Sequence, residues 1–132
     1  MDEHGIPLSI VVTGANRHDV TQVEAVLDGR ILPAPEDVSE NLCADAGYTG
    51  ANAKQAIEDR GMTAHVRPRG EEKKAIQSGY KARRWIVEVA HSWFNRFRKI
   101  LVRYEKKAAN YAALCHLTAA VIAFRKIGVI YG

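Results

Sequence analysis

The sequence predicts an α/β fold in which a sheet with parallel members and flanking helices gives way to two long helices. Three observations carry that prediction. Through residue 66, short β-branched runs bounded by turn residues alternate with helical spacing, an order that favours parallel strands joined by right-handed crossovers. Apolar residues then recur at Ile86, Ala90, Trp93, Phe97, Ile100 or Leu101, and Tyr104, the three-then-four spacing of a helix with one buried face. Finally, the stretch from Ala108 to about residue 127 is rich in Ala, Leu, Val and Phe and reads as a second long helix packed on the core.

At 132 residues and 14.6 kDa the chain has room for one domain with a real core. We divide it into a sheet-forming half over 1–66, a connecting loop over 67–79 and C-terminal helices over 80–132. A composition 47% apolar and 26% charged argues against a disordered chain, and no positively charged n-region precedes an apolar segment at the start, as a secretory signal requires. The longest apolar run, Ala112 to Phe124, is interrupted by His116 and Thr118. It is short for a bilayer span and reads as a buried helix. Cys43 and Cys115 lack metal-type spacing and read as free core thiols.

Charge is segregated along the chain. Residues 1–65 carry four Lys or Arg against eleven acids, and residues 66–107 carry thirteen against four. A net charge of +4 therefore conceals one acidic and one strongly basic half. Such asymmetry suggests an anion-binding surface, with nucleic acid the commonest target.

In chain order, Asp2–Gly5 resembles the tip of a hairpin, with Gly5 at a position tolerant of positive φ. Pro7–Thr13 follows as a β-branched strand ending at the turn Gly14–Asn16. Asp19 and Gln22 form an acidic variant of a capping box, opening a helix that carries Val23, Val26 and Leu27 inward and stops near Gly29. A loop with Pro33 and Pro35 leads to a strand over Val38–Asp45, then a turn over Ala46–Gly50. A helix from Ala51 to Arg60 is closed by Gly61, and Met62–Val66 is one more strand. The basic helix occupies about residues 80–106, and the last helix about 108–127.

Two acids stand out. Asp45 ends a strand and is followed by the small residues Ala46 and Gly47; in open α/β sheets ligands bind at that end of a strand. A turn or cap acid accounts for its position equally well. Glu88 is the only acid between Glu72 and Glu105 and shares a helical stripe with Arg84, Asn95 and Lys99. As an exposed partner of Arg84 it would contribute about 0.2–0.5 kcal/mol. As a carboxylate among cations it also suits a phosphodiester-cutting site, where acids hold divalent ions and bases hold the backbone. His18, His65 and His91 have no paired spacing and read as surface or hydrogen-bonded histidines. Trp93, Phe94 and Phe97 read as core, while Trp85, beside Arg84, is placed to stack on a base.

Leu42-Cys-Ala-Asp-Ala-Gly-Tyr48 and the run from Arg83 to Lys106 resemble the DDE transposases of bacterial insertion sequences, the IS5 group of the IS4-like superfamily in particular. Gly5-Ile-Pro-Leu8 and Thr13–Asp19 are similar to what that family carries before its second catalytic acid. The resemblance implies a ribonuclease H-like fold and DNA transposition, in which Mg²⁺, or alternatively Mn²⁺, is held by Asp, Asp and Glu. It implies a cytoplasmic, nucleoid-associated protein acting on element ends and target DNA as a homo-oligomer.

On these positions Asp45 matches the second aspartate and Glu88 the glutamate, as catalytic and metal-binding residues. Arg84 matches the arginine of the family's Tyr-Arg-Glu-Lys signature. The tyrosine position is held by Lys81, with Tyr80 adjacent, and the lysine position by Asn95, with Arg96 adjacent. Arg84, Trp85, Asn95, Arg96, Arg98, Lys99 and Arg103 are the expected DNA contacts. The family's first aspartate lies on a strand upstream of the segment resembling Gly5-Ile-Pro-Leu8, and neither Asp2 nor Asp19 fits its role. The expectation is therefore a C-terminal portion of the catalytic domain, lacking its leading strands, with an upstream transposase segment or another copy as complement. A non-catalytic DNA-binding remnant and a basic protein-interaction module are the alternative readings.

Overall fold

The computed structural model describes residues 1–33, 35–68, 70–71 and 84–130, without the side chains of Arg84 and Ile130. Tyr80, Lys81, the expected start of the basic helix and most of the connection over 67–79 lie outside the described residues. The chain forms two compact units, Thr13–Ala82 and Met1–Val12 with Arg83–Gly132.

In the unit Thr13–Ala82, a 3₁₀ turn over Asp19–Gln22 runs into helix α1, Val23–Asp28. The expected cap is displaced by one residue. His18 holds the extended backbone of an N-cap, so Asp19 already lies inside the turn, and the side-chain bond that forms is Thr21 Oγ1 to the His18 carbonyl at 2.7 Å. Helix α1 buries Val23 and Leu27, four residues apart. Val26, expected inward, sits one residue off that line and is exposed.

Strand β1, Asn41–Ala44, leads through a 3₁₀ turn over Ala46–Tyr48 to helix α2, Ala51–Glu58, and strand β2, Thr63–Val66. The strands pair in parallel, with Asn41 opposite Thr63 and Ala44 opposite Val66. A helix between parallel neighbours is the unit that the alternating sequence predicted. Gly61, at φ +75°, makes the left-handed stop after α2. Val23, Leu27, Ala53, Ala56, Ile57 and Met62 form the core, with Leu42 and Ala64 packed against it. Leu42 and Ala44 are half-buried, so alternation turns Cys43 to the exposed side. The expectation of a core thiol at Cys43 is corrected accordingly.

In the second unit, Asp2 closes a tight turn: its Oδ1 accepts the amides of His4 at 2.9 Å and Ile6 at 2.8 Å. Gly5 is at φ +85° there. The strand expected over Pro7–Thr13 forms no ladder among the described residues. Helix α3, Arg84–Asn95, buries Ile86 and Ala90. The basic helix is not continuous to residue 106. Phe97 adopts φ −93°, ψ 103°, and a short helix α4, Arg98–Leu101, follows. Neither glycine nor proline marks this break. Both α3 and α4 pack against helix α5, Ala108–Ile130, and the Tyr111 hydroxyl donates to the Ile100 carbonyl at 3.2 Å.

Helix α5 buries Cys115, Thr118 and Ile122 on one stripe. His116 and Thr118 do not interrupt it, and it is long and apolar enough to cross a bilayer by length and composition. The helix expected over about 108–127 forms, while its reading as buried and too short for a bilayer span is corrected. Leu117, Phe124, Ile127 and Val129 are exposed, because the helix is apolar all round while its neighbours cover one side.

Candidate functional site

Asp45 stands immediately after β1 and caps the 3₁₀ turn over Ala46–Tyr48. Its Oδ1 accepts the Gly47 amide at 2.8 Å, which orients the carboxylate at the carboxyl end of the parallel pair. The side chain is exposed, and its second oxygen has no hydrogen bond among the described residues. The reason for a small residue at 47 is now geometric: a Cβ there would stand 2.9 Å from Asp45 Oδ1.

Tyr48 was not singled out from the sequence. Its ring packs against the core of this unit, and the turn that carries it packs against the 3₁₀ turn carrying Asp19. Burial pushes the Tyr48 phenol above its ordinary pKa, and the negative charges of Asp19 and Asp45 push in the same direction. Two carboxylates therefore act on one phenol, a relationship set by packing between turns that are distant in the sequence and invisible to spacing rules.

In the other unit Glu88 lies exposed on α3, with Asn95 exposed on the same face two turns on. Glu88 has no ion-pair partner among the described residues, and the Arg84 side chain lies outside them. Trp85 is 56% exposed, whereas Trp93, Phe94 and Phe97 are half-buried.

The break at Phe97 divides the expected cationic stripe. Lys99 lines one recess of about 380 Å³ with Tyr104, Glu105, Asn110 and Leu114. Arg96 lines another of about 130 Å³. Arg98 is exposed in the first turn of α4. Arg103 stacks its guanidinium 4.8 Å from the Tyr111 ring centre, and its Nε donates to the Glu105 carbonyl at 3.3 Å. Among the described residues no three His, Cys, Asp or Glu side chains converge as a metal set.

Comparison with known proteins gives two findings. A family model described as "Transposase DDE domain" matches residues 42–125, which include both Asp45 and Glu88. The chain is also 32% identical over 135 residues to a "Putative transposase for insertion sequence element IS402" of Burkholderia cepacia, a match covering 96% of this chain and 61% of that relative. It thus spans about three-fifths of the length of the relative it matches. No solved structure matches significantly. With almost two-thirds of its residues inside the family model, this chain belongs to the transposase DDE-domain family.

Proposed function

We propose that the chain is part of the catalytic domain of an IS5-group transposase, an enzyme of Mg²⁺-dependent cleavage and strand transfer of DNA. The observation carrying this reading is the placement of Asp45, an exposed carboxylate fixed by a backbone amide at the end of a parallel strand. Asp45 and Glu88 fit Mg²⁺ in kind: both are exposed carboxylates, and hard cations take oxygen ligands. The ion would activate an attacking oxygen and stabilise the leaving one. In this reading Asp45 holds one ligand oxygen outward while Gly47 holds the other, and Glu88 supplies a second carboxylate from α3. Arg84, Trp85, Asn95, Arg96, Arg98, Lys99 and Arg103 line the path of the DNA backbone. The third carboxylate comes from an upstream segment or a second copy, so the 132 residues alone transfer strands little or not at all.

The test is cleavage of element-end DNA with Mg²⁺, by these 132 residues and by a chain extended upstream to the relative's length. Cleavage is expected from the extended chain alone, and Asp45→Ala or Glu88→Gln abolishes it. Efficient cleavage by the 132 residues, lost in Asp45→Ala, would show that no ligand is missing. Cleavage by the extended chain that ignores both substitutions would remove these acids from the site. DNA binding itself should fall steeply between 50 and 200 mM salt, as expected for Lys and Arg contacts to phosphates.

A further inference from the structure

The recess of about 130 Å³ lies in the α3–α5 unit and is lined by Trp93, Arg96, Phe97, Ile122, Arg125 and Lys126. It is smaller than the roughly 300–1,000 Å³ of small-molecule pockets, and its rim is open, with Arg96 and Arg125 exposed. Ile122 is buried at its base, while Trp93 and Phe97 are half-buried. Lys126 Nζ lies 4.5 Å from the centre of the Trp93 ring. Two aromatic walls, an aliphatic base and three cations thus surround a space that no carboxylate lines.

We propose that this recess binds one unpaired nucleotide of a DNA strand, its base against Trp93 and Phe97 and its phosphates on Arg96, Arg125 and Lys126. The proposal rests on the reading of the chain as a protein acting on DNA and names a further contact for it. Apolar walls alone would suit any greasy group, and cations alone any anion. Only a ligand with an aromatic face and a flanking negative charge satisfies both sets. A base within a duplex is stacked on its neighbours and offers no free face, whereas every unpaired base does. Lys126 now covers the indole as a cation–π contact. Stacking of a base is the stronger interaction, and an incoming nucleotide brings the phosphate onto which the displaced ammonium moves.

Arg125 and Lys126 are the two basic residues in the tail from residue 108, and a charge count treats them as a minor addition. The fold is what brings them to one recess with Arg96, nearly thirty residues away in the chain.

The experiment follows the Trp93 indole N–H resonance of the ¹⁵N-labelled chain in EDTA, so that metal-dependent cleavage does not enter. The probes are a thymidine octamer, an abasic octamer, a hairpin duplex with as many phosphates, and polyglutamate. The octamer should shift the resonance and bind at least tenfold more tightly than the abasic strand. Arg125→Ala and Lys126→Ala, at the rim, should each weaken octamer binding about tenfold and lower its salt dependence. Trp93→Leu, followed by the fluorescence anisotropy of labelled octamers, should remove the preference for the strand with bases. Equal binding of abasic and thymidine octamers, a duplex that shifts Trp93 equally, or polyglutamate binding as tightly would overturn the proposal, as would octamer binding that leaves Trp93 unmoved. A failure here leaves cleavage dependent on Asp45 and Glu88 standing, and failure of that cleavage leaves this binding standing.

Discussion

Asp45 Oδ1 sits 2.8 Å from the Gly47 amide nitrogen and 2.9 Å from the point where a Cβ at residue 47 would lie. The carboxylate occupies the volume that any other residue at 47 would claim. Gly47→Ala therefore forces Asp45 to rotate away or lose its amide bond. We expect cleavage by the extended chain to fall roughly 10²-fold, the usual consequence of a displacement near 1 Å, while the melting temperature stays close to wild type. A variant that cuts normally would show that the Asp45 carboxylate need not be held by residue 47.

Arg60 grips Asp28 in two places, Nε to Oδ1 at 2.7 Å and Nη2 to Oδ2 at 2.9 Å, joining the ends of α1 and α2. The guanidinium hydrogen bond holds the Asp28 carboxyl below its ordinary pKa. A depressed acid contributes stability that is complete above its unfolded pKa, about 3.9, and is lost as pH falls through the folded value. The melting temperature of Asp28→Asn should lie below wild type from pH 5 to 8, and the gap should close in acid below about pH 3.9. A gap that persists at the lowest pH would mean that charge is not what holds the pair.

Ile57 is fully buried in its core, so truncating it leaves a cavity among its packed neighbours. Ile57→Ala should cost about 2–5 kcal/mol in denaturant unfolding. Gly5 has a different vulnerability. At φ +85°, and with the Ile86 carbonyl 3.4 Å from a would-be Cβ, Gly5→Ala should cost about 1–2 kcal/mol from backbone strain.

Cys115 is buried, and burial pushes its thiol pKa up, while Cys43 is exposed on β1. Since the thiolate is the reactive form, a maleimide at pH 7.5 should label Cys43 within minutes and Cys115 only on unfolding. Equal rates would place Cys115 outside the packed stripe of α5.

The fold of the first unit was largely legible because its signals are local. Alternation over Asn41–Ala44 and Thr63–Val66, the helix between them and Gly61 as its stop are written within a few residues of where they act. Errors appeared where a partner was needed. Pro7–Thr13 has strand composition but no ladder among the described residues, since β propensity becomes a strand only against a neighbour. The run from Arg84 to Tyr104 has unbroken helical periodicity, yet it divides at Phe97 where α3 and α4 meet α5.

Sequence alone determined the class of the fold, the charge segregation, the two conspicuous acids and the family. Those follow from periodicity, composition and motif, each readable along one dimension. Tertiary structure decided how Asp45 is held, that the charges of Asp19 and Asp45 act on one phenol, and that Arg125 and Lys126 line one recess with Arg96 and Trp93. The reason is physical: a carboxylate's orientation and a recess's lining depend on atoms brought together by packing, across separations that no periodicity encodes.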